Sequence, residues 1–241
     1  MTRRGKSRED RTALSSFYLR GTLEQEGCSI CRLLREGEER WLWHLIYELT
    51  GDPGVRAKLD RSFGLCQEHA YLLIEIVEER ELISGDGVAR IYETVVADYL
   101  RRLREAATEL ARGRHKAREA LQGVECPLCT LNREMERIKI HTLLEALEEG
   151  EWLSEYRRSA GLCNRHLLLA LEESRDRELG EFLLEDHLGR LERLVHGLQE
   201  LQRKQRYDVD DKVTPEEARS WREAIWRFTG MKYDRPLIRW R

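Results

Sequence analysis

Gly64-Leu65-Cys66-Gln67-Glu68-His69 decides how this chain is read, because it returns as Gly161-Leu162-Cys163-Asn164-Arg165-His166. A Cys-x-x-Cys pair precedes each copy, Cys28 and Cys31 before the first, Cys126 and Cys129 before the second. All six cysteines are thereby used, in the patterns C-x2-C-x34-C-x2-H and C-x2-C-x33-C-x2-H. Three thiolates and an imidazole are a donor set for a tetrahedral structural zinc, and two intervening residues let both side chains of a pair turn onto one ion. Read along the chain, the sequence predicts two such sites, one per half: Cys28, Cys31, Cys66 and His69, then Cys126, Cys129, Cys163 and His166. Each would carry a net charge of about −1 with Zn(II). A helix N-terminus would ease that charge, and both Cys-x-x-His motifs sit between a glycine and an apolar helical run, where a helix start is expected.

Six is an even number, so disulfides compete with metal, as do redox thiols and an iron–sulfur cluster. The stretch Met1-Thr2-Arg3-Arg4-Gly5-Lys6-Ser7-Arg8 lacks the apolar core of a signal peptide. A cytoplasmic setting is therefore expected, where structural disulfides are rare. A thioredoxin-type pair would need a strand–helix context, and no period-two strand pattern is found.

The 241 residues are 41% hydrophobic and 36% charged with only four prolines, a balance of solvated helices with a core. No run of about 18 apolar residues is present, so no membrane helix is expected. Residues 1–11 carry +3 and 203–241 carry +4, which leaves −10 on residues 12–202 of a total of −3. An acidic body disfavours broad nucleic-acid binding, although the basic ends offer a place for it. The expected partner is a protein, of a kind the residues do not specify.

Periodicity predicts helices over 12–25, 29–49, 53–62, 66–82, 88–121, 127–148 and 178–206, with short ones near Trp152 and after Cys163. Asp52-Pro53 reads as an N-cap and first helical residue, and Thr214-Pro215-Glu216-Glu217 as the start of a helix to Thr229. On the 88–121 helix, Ile91, Val95, Val96, Tyr99, Leu100, Leu103 and Leu110 are expected on the apolar side. The offset between copies is 98 at the Cys-x-x-Cys pairs, 97 from His44/His141 to His69/His166, and 88 at Asp98/Asp186, Arg102/Arg190 and Leu103/Leu191. The fold class is thus all-α: two tandem, pseudo-symmetric helical repeats, each pinned by a Cys3His site, plus a C-terminal helix. The expected divisions are a basic tail at 1–11, a first zinc repeat at 12–122, a second at 123–206, and a loop, helix and aromatic tail at 207–241.

Gly27-Cys28-Ser29-Ile30-Cys31-Arg32-Leu33, Gly51-Asp52-Pro53-Gly54-Val55-Arg56 and Gly64-Leu65-Cys66-Gln67-Glu68-His69 resemble an uncharacterised prokaryotic family, a domain of unknown function. Its pattern has Pro where this chain has Ser29, Asn where it has Gly51, and Phe where it has Leu65. The resemblance spans about residues 17–200, keeps every metal-ligand candidate and implies no activity.

His44 and His141 are each followed four residues later by a carboxylate, Glu48 and Glu145, on one helix face. They form the alternative, enzymatic site, set against each His simply bonding its own Glu. No phosphate-binding loop, nucleophile elbow or His-Glu-x-x-His motif is present. The expected function is a non-enzymatic, zinc-stabilised binding or regulatory module with two Zn ions. A thiol or metal-sensing switch and an enzyme around His44, Glu48, His141 and Glu145 are the rivals.

Overall fold

A computed structural model of the chain describes residues 18–79, 85–113 and 117–231. The tail expected at 1–11, the start of the helix expected from Thr12, the end of the helix expected to Leu82 and the end of the chain beyond Met231 lie outside these residues. The described chain is helical throughout, with no strand. Helix α1 comprises residues 18–23. It is followed by α2 (Ser29–Tyr47), α3 (Pro53–Ser62), α4 (Gln67–Glu79), α5 (Asp86–Ala111) and α6 (Ala117–Ala120). Then come α7 (Pro127–Leu147), α8 (Gly150–Arg158), α9 (Asn164–Glu173), α10 (Arg177–Lys204) and α11 (Pro215–Thr229).

Local chemistry sets most of the boundaries. The Asp52 carboxylate accepts a 2.8 Å bond from the Val55 N–H, and Pro53 opens α3 where its missing N–H costs nothing. Asp176 caps α10 in the same way. Thr214 and Glu217 form both halves of a capping box on α11. One expected helix is broken. The run from Val88 ends at Ala111, because Gly113 takes a left-handed φ of 74° and stops the ladder, and α6 begins afresh.

The chain forms two compact units. One comprises residues up to Arg35 together with Met135 onward, the other Glu36–Glu134. The division falls inside α2 and inside α7. In the first unit, Leu19, Ile30, Leu143, Leu147, Tyr156 and Leu183 are core residues. In the second, Leu42, Leu45, Leu59, Leu72, Leu73 and Ile91 are. Of the residues expected on the apolar side of α5, Ile91 and Val95 are buried, whereas Val96, Leu100, Leu103 and Leu110 are exposed. Their periodicity is real, but it belongs to a second face that the unit does not cover.

Two arginines hold the approach to Cys163. Arg190 on α10 donates to the carbonyls of Ser159 (2.6 Å) and Tyr156 (3.0 Å) and pairs with Asp186 at 2.6 Å. Arg227 on α11 donates to the carbonyls of Leu162 and Ala160, both at 3.1 Å. Arg190 thus places a buried cation on the Tyr156 carbonyl at the negative end of the α8 dipole, and Arg227 holds the loop that follows. The counterpart of Arg190 in the other unit, Arg102, pairs with Asp98 at 2.7 Å and stands over the Phe63 ring. Its side chain is 28% exposed against 8% for Arg190. Arg190→Ala should therefore cost about 3 kcal/mol or more, since it strands buried carbonyls and Asp186. Arg102→Ala should cost about 1 kcal/mol or less. Denaturant melts of the two variants measure this, and equal losses would contradict it.

Candidate metal centres

The eight cysteine and histidine ligand candidates gather into two groups, but not the two the linear reading predicts. Cys28 and Cys31 meet Cys163 and His166, while Cys66 and His69 meet Cys126 and Cys129. Neither repeat closes its own quartet. Each Cys-x-x-Cys pair joins the Cys-x-x-His motif of the other repeat, so the tandem grouping is corrected to a crossed one. The helix lengths fit this grouping. From Cys31, α2 carries the chain about 24 Å to Tyr47, whereas α3 can bring it back only about 15 Å. The returning motif reaches Glu38, to which His69 Nε2 lies at 3.5 Å. Glu38 is seven residues along α2 from Cys31, a helical rise of about 10 Å.

Every motif stands at a helix start, as its flanking glycine and apolar run predict. Cys28, Cys66, Cys126 and Cys163 are each followed at once by the first residue of α2, α4, α7 and α9. Two helix N-termini therefore point their positive ends into each group. The glycine ahead of each Cys-x-x-His makes the turn. Gly64 and Gly161 have φ of 90° and 74°, and a Cβ would meet the Tyr92 ring in one case and the Arg190 guanidinium in the other, both at 2.8 Å.

In the first group, the Cys28, Cys31 and Cys163 sulfurs lie 3.2, 3.4 and 3.2 Å from His166 Nδ1, with Cys31 and Cys163 3.8 Å apart. In the second, the Cys66, Cys126 and Cys129 sulfurs lie 3.2, 3.5 and 3.5 Å from His69 Nδ1, with Cys66 and Cys129 3.6 Å apart. A tetrahedral zinc with Zn–S of about 2.3 Å and Zn–N of about 2.0–2.1 Å spaces its donors about 3.8 Å sulfur to sulfur and about 3.5 Å sulfur to nitrogen. Both groups fit one such ion. A disulfide needs sulfurs about 2.05 Å apart, and all six cysteines are free. A polynuclear iron–sulfur cluster needs its cysteines spread around several atoms, for which donors this close leave no room.

Each imidazole turns Nδ1 to the sulfurs and Nε2 to a carboxylate. Glu136 on α7 meets His166 Nε2 at 2.9 Å and is also held by Arg165 at 2.9 Å. Glu38 plays this part for His69 and is held by the Asn132 amide. A carboxylate behind a ligating histidine fixes its tautomer and strengthens it as a donor. The linear reading misses this pair, although a signal was present: both glutamates stand seven residues after the second cysteine of their motif, at the same offset of 98 as the cysteines. Without metal, burial works to lower the His69 pKa, but bonds to Cys126 and Glu38 outweigh it and raise it to about 10. His166 is raised to about 11, where bonds to Cys163, Cys31 and Glu136 overcome burial. The Cys126 thiol is opposed by burial yet brought down to about 6 by His69 and nearby backbone N–H groups.

The groups differ in cover. All four donors of the first are buried, and the Met231 N–H, just past α11, donates to Cys31 at 3.3 Å. Gly27 makes room for this with a φ of 87°, since a Cβ there would collide with the Met231 sulfur. In the second group Cys66 and Cys129 are only half-buried.

The residues of the expected alternative site do not converge in the same way. His44 Nδ1 lies 3.2 Å from Glu48, as the i, i+4 spacing predicts. His141 instead meets Glu173 at 3.1 Å, while Glu145 is exposed. Both histidines are about half-exposed, and neither is in a metal-capable group among the described residues.

No family model, characterised protein or solved structure matches the chain, so the use of these centres has to be read from their geometry.

The crossed grouping has a direct test in metal content. With one ion per quartet, Cys28→Ser and Cys163→Ser should each remove one equivalent, and the double variant should lose no more. Cys28→Ser combined with Cys66→Ser should lose both. Elemental analysis of the purified variants decides, and the tandem grouping demands the opposite pattern.

Proposed function

We propose that each quartet binds one zinc ion and that the protein is a non-enzymatic, zinc-stabilised binding or regulatory module acting through a protein partner. The fit of both quartets to a closed tetrahedron carries this reading. Four protein donors fill the coordination shell, which leaves no position for water or substrate and so no place for Lewis-acid chemistry. What such an ion supplies is cohesion. It ties the start of α2 to the start of α9, and the start of α4 to the start of α7, closing long loops that apolar packing alone must otherwise hold.

Loaded protein should contain two equivalents of zinc and melt in a metal-dependent manner. Structural zinc contributes about 10 kcal/mol or more of apparent binding free energy in small modules, all of it to the folded form. Because each unit also has an apolar core, stripping the metal with a strong chelator should lower the melting temperature sharply while leaving much of the helical circular dichroism. A metal-free protein with unchanged melting would sink the structural role.

The incomplete burial of Cys66 and Cys129, with sulfurs 3.6 Å apart, favours one second reading. In a thiol switch, one molecule of hydroperoxide would take two electrons from these two thiolates to leave a disulfide, its oxygens departing as water and alcohol with two protons from solvent, and zinc would be freed from that group first. Low peroxide should then release one equivalent of zinc with a Cys66–Cys129 disulfide found by peptide mapping. Simultaneous release from both groups speaks for the purely structural role.

A further inference from the structure

Several helices expose apolar side chains, among them Trp221, Ile225 and Phe228 on α11, but two faces stand out for their length. On α5, Val96, Leu100, Leu103 and Leu110 are 61%, 45%, 39% and 51% exposed, and Ala107 between them is exposed as well. On α10, Leu184, Leu188 and Val195 are 50%, 59% and 52% exposed, and Leu191 and Leu198 are half-buried. Each set steps by i, i+4, i+7, i+11 and i+14. The two sets are related by the offset of 88 that relates the two helices. Alternating steps of four and three are the 3.5-residue period of a coiled-coil seam. The core faces of the same helices lie elsewhere, at Ile91, Val95 and Ala106 on α5 and at Leu179, Leu183 and Leu194 on α10. Each helix thus has one apolar face that its unit buries and a second, about 21 Å long, that it does not. Isolated exposed leucines need no account, but a duplicated seam of this length marks an interface.

The flanks say what lies on it. The position following each of Val96, Leu103 and Leu110 holds Ala97, Arg104 and Ala111. The matching positions on α10 hold Glu185, Glu192 and Gln199. All six are exposed or at the seam's edge, and Arg104 occupies the register of Glu192. In antiparallel helices these flanking positions face one another across the seam. Two α5 seams would set Arg104 against Arg104, and two α10 seams would set glutamate against glutamate. Only α5 against α10 places opposite charges together. One chain carries one of each, equal in length and in apolar steps, so two identical copies can meet through unlike stripes.

We propose that the protein forms a homodimer in which α5 of one copy lies antiparallel on α10 of the other, with Arg104 facing Glu185 and Glu192 across each seam. The interface needs no property of the quartets beyond the fold they belong to. Its occupant is a second copy of this chain, because the apolar steps, the length and the charges of the two stripes complement each other.

Light scattering on the full chain, coupled to size exclusion, should give a molar mass twice the 28.5 kDa of one chain. Leu100→Glu and Leu188→Glu should each shift it to the single-chain mass. Helical circular dichroism should be unchanged, since neither side chain is in a core. Ile138→Glu, at an exposed apolar site outside both stripes, should remain dimeric. Arg104→Glu should weaken the dimer, and adding Glu185→Arg and Glu192→Arg should restore it, an outcome that only α5–α10 pairing produces. A single-chain mass for the unaltered protein, a dimer that survives Leu100→Glu and Leu188→Glu, or charge reversal without restoration would overturn the proposal.

Discussion

Closure of a Cys-x-x-Cys turn onto a Cys-x-x-His turn, each at a helix start, is the constraint on which this structure rests. Four donors within 4.8 Å of one another have to come from two places far apart in the chain, and both must arrive with helix N-termini pointing inward. Much of the surrounding structure serves that arrival. Glycines with positive φ turn the chain into the motif, and carboxylates from α2 and α7 steady the imidazoles from behind. The reciprocal arrangement of the two long helices follows. Each begins with the cysteine pair of one quartet and carries, two turns on, the glutamate that backs the other.

The motif occurs twice, and its two settings are unequal. The group holding Cys163 is enclosed by Arg190, Arg227 and the end of α11, with a backbone N–H on the Cys31 sulfur. In the group holding Cys126, Cys66 and Cys129 are only half-buried. Sulfur that accepts N–H bonds and lies away from solvent is a poor target for oxidants, whereas half-buried thiolates are more open to them. The C-terminal helix contributes to this difference through Arg227 and the Met231 N–H that follows it.

The long helices α5 and α10 show the same repetition on another scale. Their apolar residues exceed what one face can hold, and the surplus falls at coiled-coil spacing rather than at random. A single amphipathic helix buries one stripe against its own domain. A second stripe held in register over four turns on both copies is a feature of assembly.

The all-helical class, the helix starts at the cysteines, the caps at Asp52 and Thr214 and the identity of the eight ligand candidates were all determined by the sequence itself. They follow from short-range chemistry: period, capping residues and the spacing of donors that must share one ion. Even Glu38 and Glu136 were legible as a repeated residue two turns beyond a ligand pair. What only the tertiary structure decided is which turn meets which. Either Cys-x-x-Cys pair offers the same two sulfurs to either Cys-x-x-His motif, so nothing local distinguishes tandem from crossed closure. The choice is made by the packing of whole helices: His69 comes to rest beside Glu38, seven residues beyond Cys31 on α2, and His166 beside Glu136, seven beyond Cys129 on α7, so each incoming motif meets the ligand pair of the other repeat.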